Sequence, residues 1–144
     1  MQELITLVNE NDEIIGFEEK LLCHKKSLLH RAFSVFIYNE KTKTFLIQKR
    51  AKEKYHSGGV WSNSCCSHQR KDEAMEAALS RCVKDELSLC TCFSQEKNTP
   101  EKDFIRCVGK FRYFAQFEKN AEHEIDNVFP VSYTHLTLPT MAVV

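Results

Sequence analysis

Residues 72–87 read DEAMEAALSRCVKDEL, and their spacing predicts an amphipathic helix. Met75, Ala78, Leu79, Cys82 and Val83 fall at i, i+3, i+4, i+7 and i+8, giving one apolar stripe with charge on the opposite side. Asp72 has the chemistry of an N-cap, and Glu73 suits the positive end of the helix dipole. Glu86 breaks the pattern. It lies three turns beyond Met75 and continues the apolar stripe, where an inward carboxylate is costly unless a cation meets it.

Working outward, Leu4–Val8 reads as a strand ending in the polar cluster Asn9-Glu10-Asn11-Asp12. Arg31–Tyr38 is aromatic and β-branched, Thr44–Arg50 alternates, and the pair predicts a hairpin. Residues 51–71 hold Gly-Gly and Cys-Cys pairs with little periodicity and read as a loop long enough to carry function. Residues 93–103 read as a second loop. Phe104–Phe117 and Ile125–Val131 read as strands joined by a charged connection over Glu118–Glu124. The class expected is α/β (α+β).

At 144 residues the chain has the length of one domain. Twenty Lys and Arg balance twenty Asp and Glu. That balance gives no reason to expect nucleic acid or a membrane surface as partner, though a local basic pocket for a small anion is compatible with it. No apolar run approaches the ~20 residues that span a bilayer, and Met1-Gln2-Glu3-Leu4 lacks the features of a secretory signal. Seven cysteines, an odd number without a signal, indicate reduced thiols in a cytoplasmic protein. All forty charged residues precede Pro130. The uncharged tail 130–144 reads either as a native apolar strand and tail or as a cloning or assembly scar in place of the true C-terminus.

Three histidines, His24, His30 and His68, sit in polar surroundings. Any one alone is more often an exposed or core residue than a ligand. Together with carboxylates, imidazoles suit Zn, Mn or a similar divalent ion. Glu122 and Glu124 alternate with period two and on an extended segment would face the same side; the bland reading is a solvated acidic turn. Asn63-Ser64-Cys65-Cys66-Ser67-His68 places a thiol two residues from an imidazole, which fits a metal site, a nucleophile or a general acid. No second Cys pair has zinc-ribbon spacing, Cys90-Thr91-Cys92 reads as packing, and the P-loop pattern is absent.

Four blocks, Leu28–Phe36 (LHRAFSVF from Leu29), Gln48–Ala51 (QKRA), Trp61–His68 (WSNSCCSH) and Glu122–Phe129 (EHEIDNVF), resemble the signature stretches of type I isopentenyl diphosphate isomerase, in order and spacing, from about residue 3 to residue 129. That family is a branch of the Nudix superfamily. Glu73, seven intervening residues and then Arg81-Cys82-Val83-Lys84-Asp85-Glu86 follow the Nudix-box frame in degenerate form, with Ser67 and Ser88 where glycines are usual.

The resemblance implies a Nudix-like mixed-sheet α/β/α sandwich, C-terminally incomplete, over residues 1–129. It implies that His24, His30, His68, Glu122 and Glu124 hold one divalent metal (Mn, Zn or Mg). Glu86 would bind a Mg²⁺ that also grips the substrate diphosphate, and Lys20, Arg50 and Lys54 would bind that diphosphate directly. Cys66 and Glu124 would be the catalytic pair, with Tyr113 polarising Glu124. The reaction protonates an alkene, a very weak base, and removes a proton elsewhere, so two groups on opposite faces of the substrate are expected. Glu124 would be the acid, and Cys66, as a thiolate favoured by nearby cations, the base. The implied partner is a small allylic diphosphate, and the protein a monomer.

Three departures stand out. Cys82 replaces a basic residue, residues 55–59 (YHSGG) replace an aromatic-Pro-Gly stretch, and nothing in 130–144 matches the family's continuation with its pocket-closing Trp. Trp61 matches a different position. Two other functions stay open: a Nudix hydrolase of a nucleoside diphosphate derivative, and a non-catalytic metal-binding remnant.

Overall fold

A computed structural model describes residues 2–54, 57–98 and 103–132, and the backbone of 142–143. The elements in order are β1 (Leu4–Val8), β2 (Ile14–Glu19), α1 (Lys20–Lys25), β3 (His30–Asn39), β4 (Thr44–Phe45), β5 (Gln48–Lys49) and β6 (Trp61–Ser62). They continue with β7 (Cys65–His68), α2 (Met75–Leu87), β8 (Phe93–Ser94), β9 (Asp103–Phe104), β10 (Gly109–Gln116), β11 (Ala121–Ser132) and β12 (Ala142–Val143).

The main sheet runs β10-β11-β3-β1-β2, with β4 and β7 also paired to β3. It is mixed: β11 runs parallel to β3 from Glu124↔His30 to Ser132↔Tyr38, while β7 is antiparallel to β3 and β10 to β11. The parallel pair joins segments nearly a hundred residues apart, and everything between them forms the crossover.

Alternation along β3 divides the sheet's chemistry. Phe33, Val35 and Ile37 point one way and, with Cys65, Phe129 and Val131, meet Ala78, Leu79, Cys82 and Val83 of α2 in the core. His30, Ala32 and Ser34 point the other way, toward the side where α1 approaches β11. A helix on each face of a mixed sheet is the sandwich expected.

Several local readings differ from the sequence. The predicted hairpin keeps only Thr44–Phe45 as its second arm, since Gln48–Lys49 leaves to pair with Trp61–Ser62. Cys65–His68 is a strand, not loop, because β3 supplies its backbone partners. Glu122 and Glu124 likewise lie on β11 instead of a turn. That strand also carries through the break in composition at Pro130, burying Val131. Asp72 caps nothing: it sits in a turn at φ 59°, and α2 starts from Ala74. Glu73 accepts from Arg81 Nε at 2.7 Å and from the Arg70 amide at 3.0 Å, serving an ion pair more than a dipole. Tyr55, His56 and residues 133–141, with most of the tail on which the scar reading turns, lie outside the described residues.

The β1–β2 turn is fastened by a buried carboxylate. Asp12 accepts from Arg31 Nε at 2.7 Å and from Lys110, and Arg31 Nη1 donates to Gln69 Oε1 at 2.9 Å. Burial opposes ionisation of Asp12, but hydrogen bonds and charge from Lys110 and Arg31 prevail and hold it below the ordinary carboxylate range. A carboxyl depressed in this way contributes stability present above its unfolded pKa and lost as pH falls through the folded value. Arg31→Met is therefore expected to cost roughly 3 kcal/mol at pH 7, with parent and variant converging as the pH falls below the ordinary carboxylate range. Urea unfolding at the two pH values checks this.

Candidate metal centre and active site

Four ligand atoms converge on the site face of the sheet. One each from His24, His30, His68 and Glu122 lie within 4.8 Å of one another. His24 comes from the last turn of α1, His30 opens β3, His68 closes β7, and Glu122 stands on β11. Glu124 joins them: its Oε1 is 3.0 Å from His68 Nε2 and 3.6 Å from His30 Nε2. The three rings pack with centroids 4.8–5.3 Å apart. His123, between the two glutamates, faces away and bonds the Ser27 carbonyl at 2.9 Å.

The imidazoles are oriented from behind. His24 Nδ1 bonds the Lys20 carbonyl at 2.7 Å and His30 Nδ1 the Leu28 carbonyl at 2.8 Å, so both donate there and turn an Nε2 lone pair inward. This is how metal-binding histidines are commonly held. His30 Nε2 is buried and has no hydrogen-bond partner, a costly arrangement unless something electropositive takes the lone pair. The donor set of imidazoles and carboxylates thus fits a divalent cation.

The electrostatics follow from crowding. Burial lowers the affinity of His68 for a proton despite Glu124. For His24, burial is outweighed by Glu122, which lifts its pKa. Burial also opposes charge on Glu124, yet His30 and His68 hold its carboxyl well below the usual range.

Cys66 lies on β7 opposite Ser34, two residues from His68. Burial, then the charges of Glu86 and Glu124, push its thiol up to about 12. The expected thiolate-favouring cations are not what surrounds it. Carboxylates do, and their charge opposes the thiolate. Glu86, on α2, accepts from the buried amide of Gln48 at 3.0 Å. Lys20 is close enough to depress His68. Tyr113 is the direct cross-strand partner of Glu124 and leaves the sheet on the same face. Arg50 and exposed Lys54 stand on the 50–60 loop, which closes through Gly59 N to Arg50 O at 2.9 Å. A Cβ at Gly58 would meet the Lys52 carbonyl at 2.3 Å, so that turn demands glycine.

The sequence reading missed one polar pair. Asp126 continues the period-two series after Glu124, is 6% exposed, and accepts from Ser34 Oγ at 2.8 Å. Alternation alone would have found it.

Residues 28–141 match the NUDIX domain. An isopentenyl-diphosphate Delta-isomerase of Aliivibrio fischeri strain MJ11 is 44% identical over 131 residues, covering 89% of this chain and 68% of that protein. The chain belongs to the isopentenyl-diphosphate Delta-isomerase family. Relatives of the same name include one from Photobacterium profundum, 36% identical over 96% of this chain and 73% of its own length. A similar fold is seen in the crystal structure of DR0079 from Deinococcus radiodurans, with a TM-score of 0.65 at 18% identity over 96% of this chain and 77% of that one. For a member of the isomerase family, the degenerate helix box has a structural counterpart here. Glu73 is engaged by Arg81, Cys82 is in the core, and Asp85 is exposed, which leaves Glu86 as the helix carboxylate near the thiol.

Because His30 Nε2 has no hydrogen-bond partner to take the place of a cation, chelation is expected to lower the melting temperature of metal-loaded protein by several degrees, an effect of the order of 3 kcal/mol. Calorimetry with and without EDTA measures it, and His30→Ala should melt at one temperature under both conditions.

Proposed function

We propose that this chain interconverts isopentenyl and dimethylallyl diphosphate, with Glu124 and Cys66 exchanging protons with the two ends of the allylic unit. The observation that carries the reading is the convergence of three histidines and two glutamates on the face that also bears a half-buried thiol. In sheet coordinates Glu124 aligns with His30 and Cys66 with Ser34. The two groups are therefore separated by two strand spacings, about 10 Å, and by four residues along the strand, about 13 Å. Side chains reaching inward from those positions leave a gap suited to a short branched hydrocarbon, with small Ala32 as its floor.

His24, His30, His68, Glu122 and Glu124 would hold one divalent cation, Mn, Zn or Mg. When bound, it would supply positive charge beside Glu124 and fix that carboxylate's orientation. Glu86 would share a Mg²⁺ with the diphosphate, whose charge Lys20, Arg50 and Lys54 would balance. Tyr113 would donate to Glu124 from the neighbouring strand. The residues act in a reversible way: each of Glu124 and Cys66 gives a proton in one direction and takes one in the other. The reading takes the chain as a cytoplasmic monomer; its seven cysteines are free, and among the described residues no helix is long and apolar enough to cross a membrane.

Isopentenyl diphosphate incubated with metal-loaded protein and followed by mass spectrometry and NMR tests the proposal. An allylic isomer of unchanged mass is expected. Release of phosphate would favour a hydrolase instead, and metal uptake without turnover a binding remnant.

A further inference from the structure

We propose that Asp126, oriented by Ser34, supplies the negative charge that stabilises the cationic carbon formed between Glu124 and Cys66; the inference rests on the isomerase reading above. Protonation of a branched alkene places the π electron pair in a new C–H bond and leaves a positive charge on the tertiary carbon until a neighbouring proton departs. A group that lowers the energy of that cation must sit along the line between the two proton-exchanging residues and must keep its charge away from water, where screening would waste it.

Asp126 meets these conditions. It follows Glu124 on the same face of β11, and its cross-strand partner is Ala32, midway along β3 between the His30 and Ser34 positions. Ser34 is in turn opposite Cys66. The hydroxyl of Ser34 donates to Oδ2 at 2.8 Å, fixing the carboxyl, while Oδ1 is buried with no hydrogen-bond partner. A buried carboxylate oxygen left open in this way costs free energy unless it serves a positive charge. Asp126 lies close enough to Cys66 to act on its thiol, and close enough to Glu124 to be acted on by it.

The test compares two diphosphates of the same shape in calorimetric titrations of the metal-loaded chain. One carries a tertiary ammonium at the branch position and the other a neutral carbon there. The parent is expected to prefer the ammonium ligand, and Asp126→Asn, which keeps the Ser34 bond, to lose about tenfold of that preference. The neutral ligand's affinity and the bound metal should not change, which a merely structural role would not produce. The double change Ser34→Ala with Asp126→Leu removes both polar partners together and should show the same loss if the Asn variant folds poorly. A preference unaltered in a folded, metal-loaded variant overturns the role given to Asp126. Failure of the parent to bind either diphosphate overturns the isomerase reading itself.

Discussion

Glu124→Gln is expected to abolish isomerisation, lowering kcat by about 10³-fold or more, and excess metal should not restore it. The carboxylate accepts from His68 at 3.0 Å and can also take and give a proton, which an amide cannot. Glutamine keeps the shape but neither ionises nor carries a transferable proton. Glu122→Gln is the informative contrast. Glu122 lies against His24 at 3.1 Å, on the α1 side of the cluster, so its loss should weaken metal binding and be rescued by added cation. Initial rates measured across a metal titration, with bound metal assayed in parallel, separate the two. Equal rescue of both variants would remove Glu124 from the chemistry.

Cys66→Ala carries the second large effect, a loss of about 10²–10⁴ in kcat with KM little changed. The side chain is half-buried on the sheet face away from the core, and its removal vacates little packed volume. The adjacent Cys65 behaves differently. It is fully buried within the core under α2, and Cys65→Ser should act on stability, moving the melting temperature more than the rate. Steady-state kinetics and thermal melts of the two single variants give opposite patterns if the period of the strand assigns them correctly.

The same alternation explains what could be read from the sequence. Helix α2 was legible because five apolar residues recur with a 3.6 period, and the Glu122/Glu124 pair because it recurs with period two. The strand at Cys65–His68 was not legible, since its four residues carry no hydrophobic contrast and owe their extended shape to β3, thirty or more residues earlier. Asp72 illustrates a different failure. It has the side chain of a cap, but the chain there takes φ 59°, and α2 starts two residues later, from Ala74. The charge environment of Cys66 was likewise hidden, because Glu86 approaches it from another element and sequence distance does not report that approach.

The parallel pairing of β3 with β11 has a bearing on how the molecule comes into being. His24 and Glu122 are separated by 98 positions, and a parallel ladder cannot form until the whole crossover between its strands exists. A nascent chain still lacking β11 would offer three histidines without their acidic partners, and so only a weak hold on any cation. Ion uptake would then wait until β11 has been made and paired with β3, and a ribosome stalled before Ala121 would carry a polypeptide unable to sequester the metal from its surroundings.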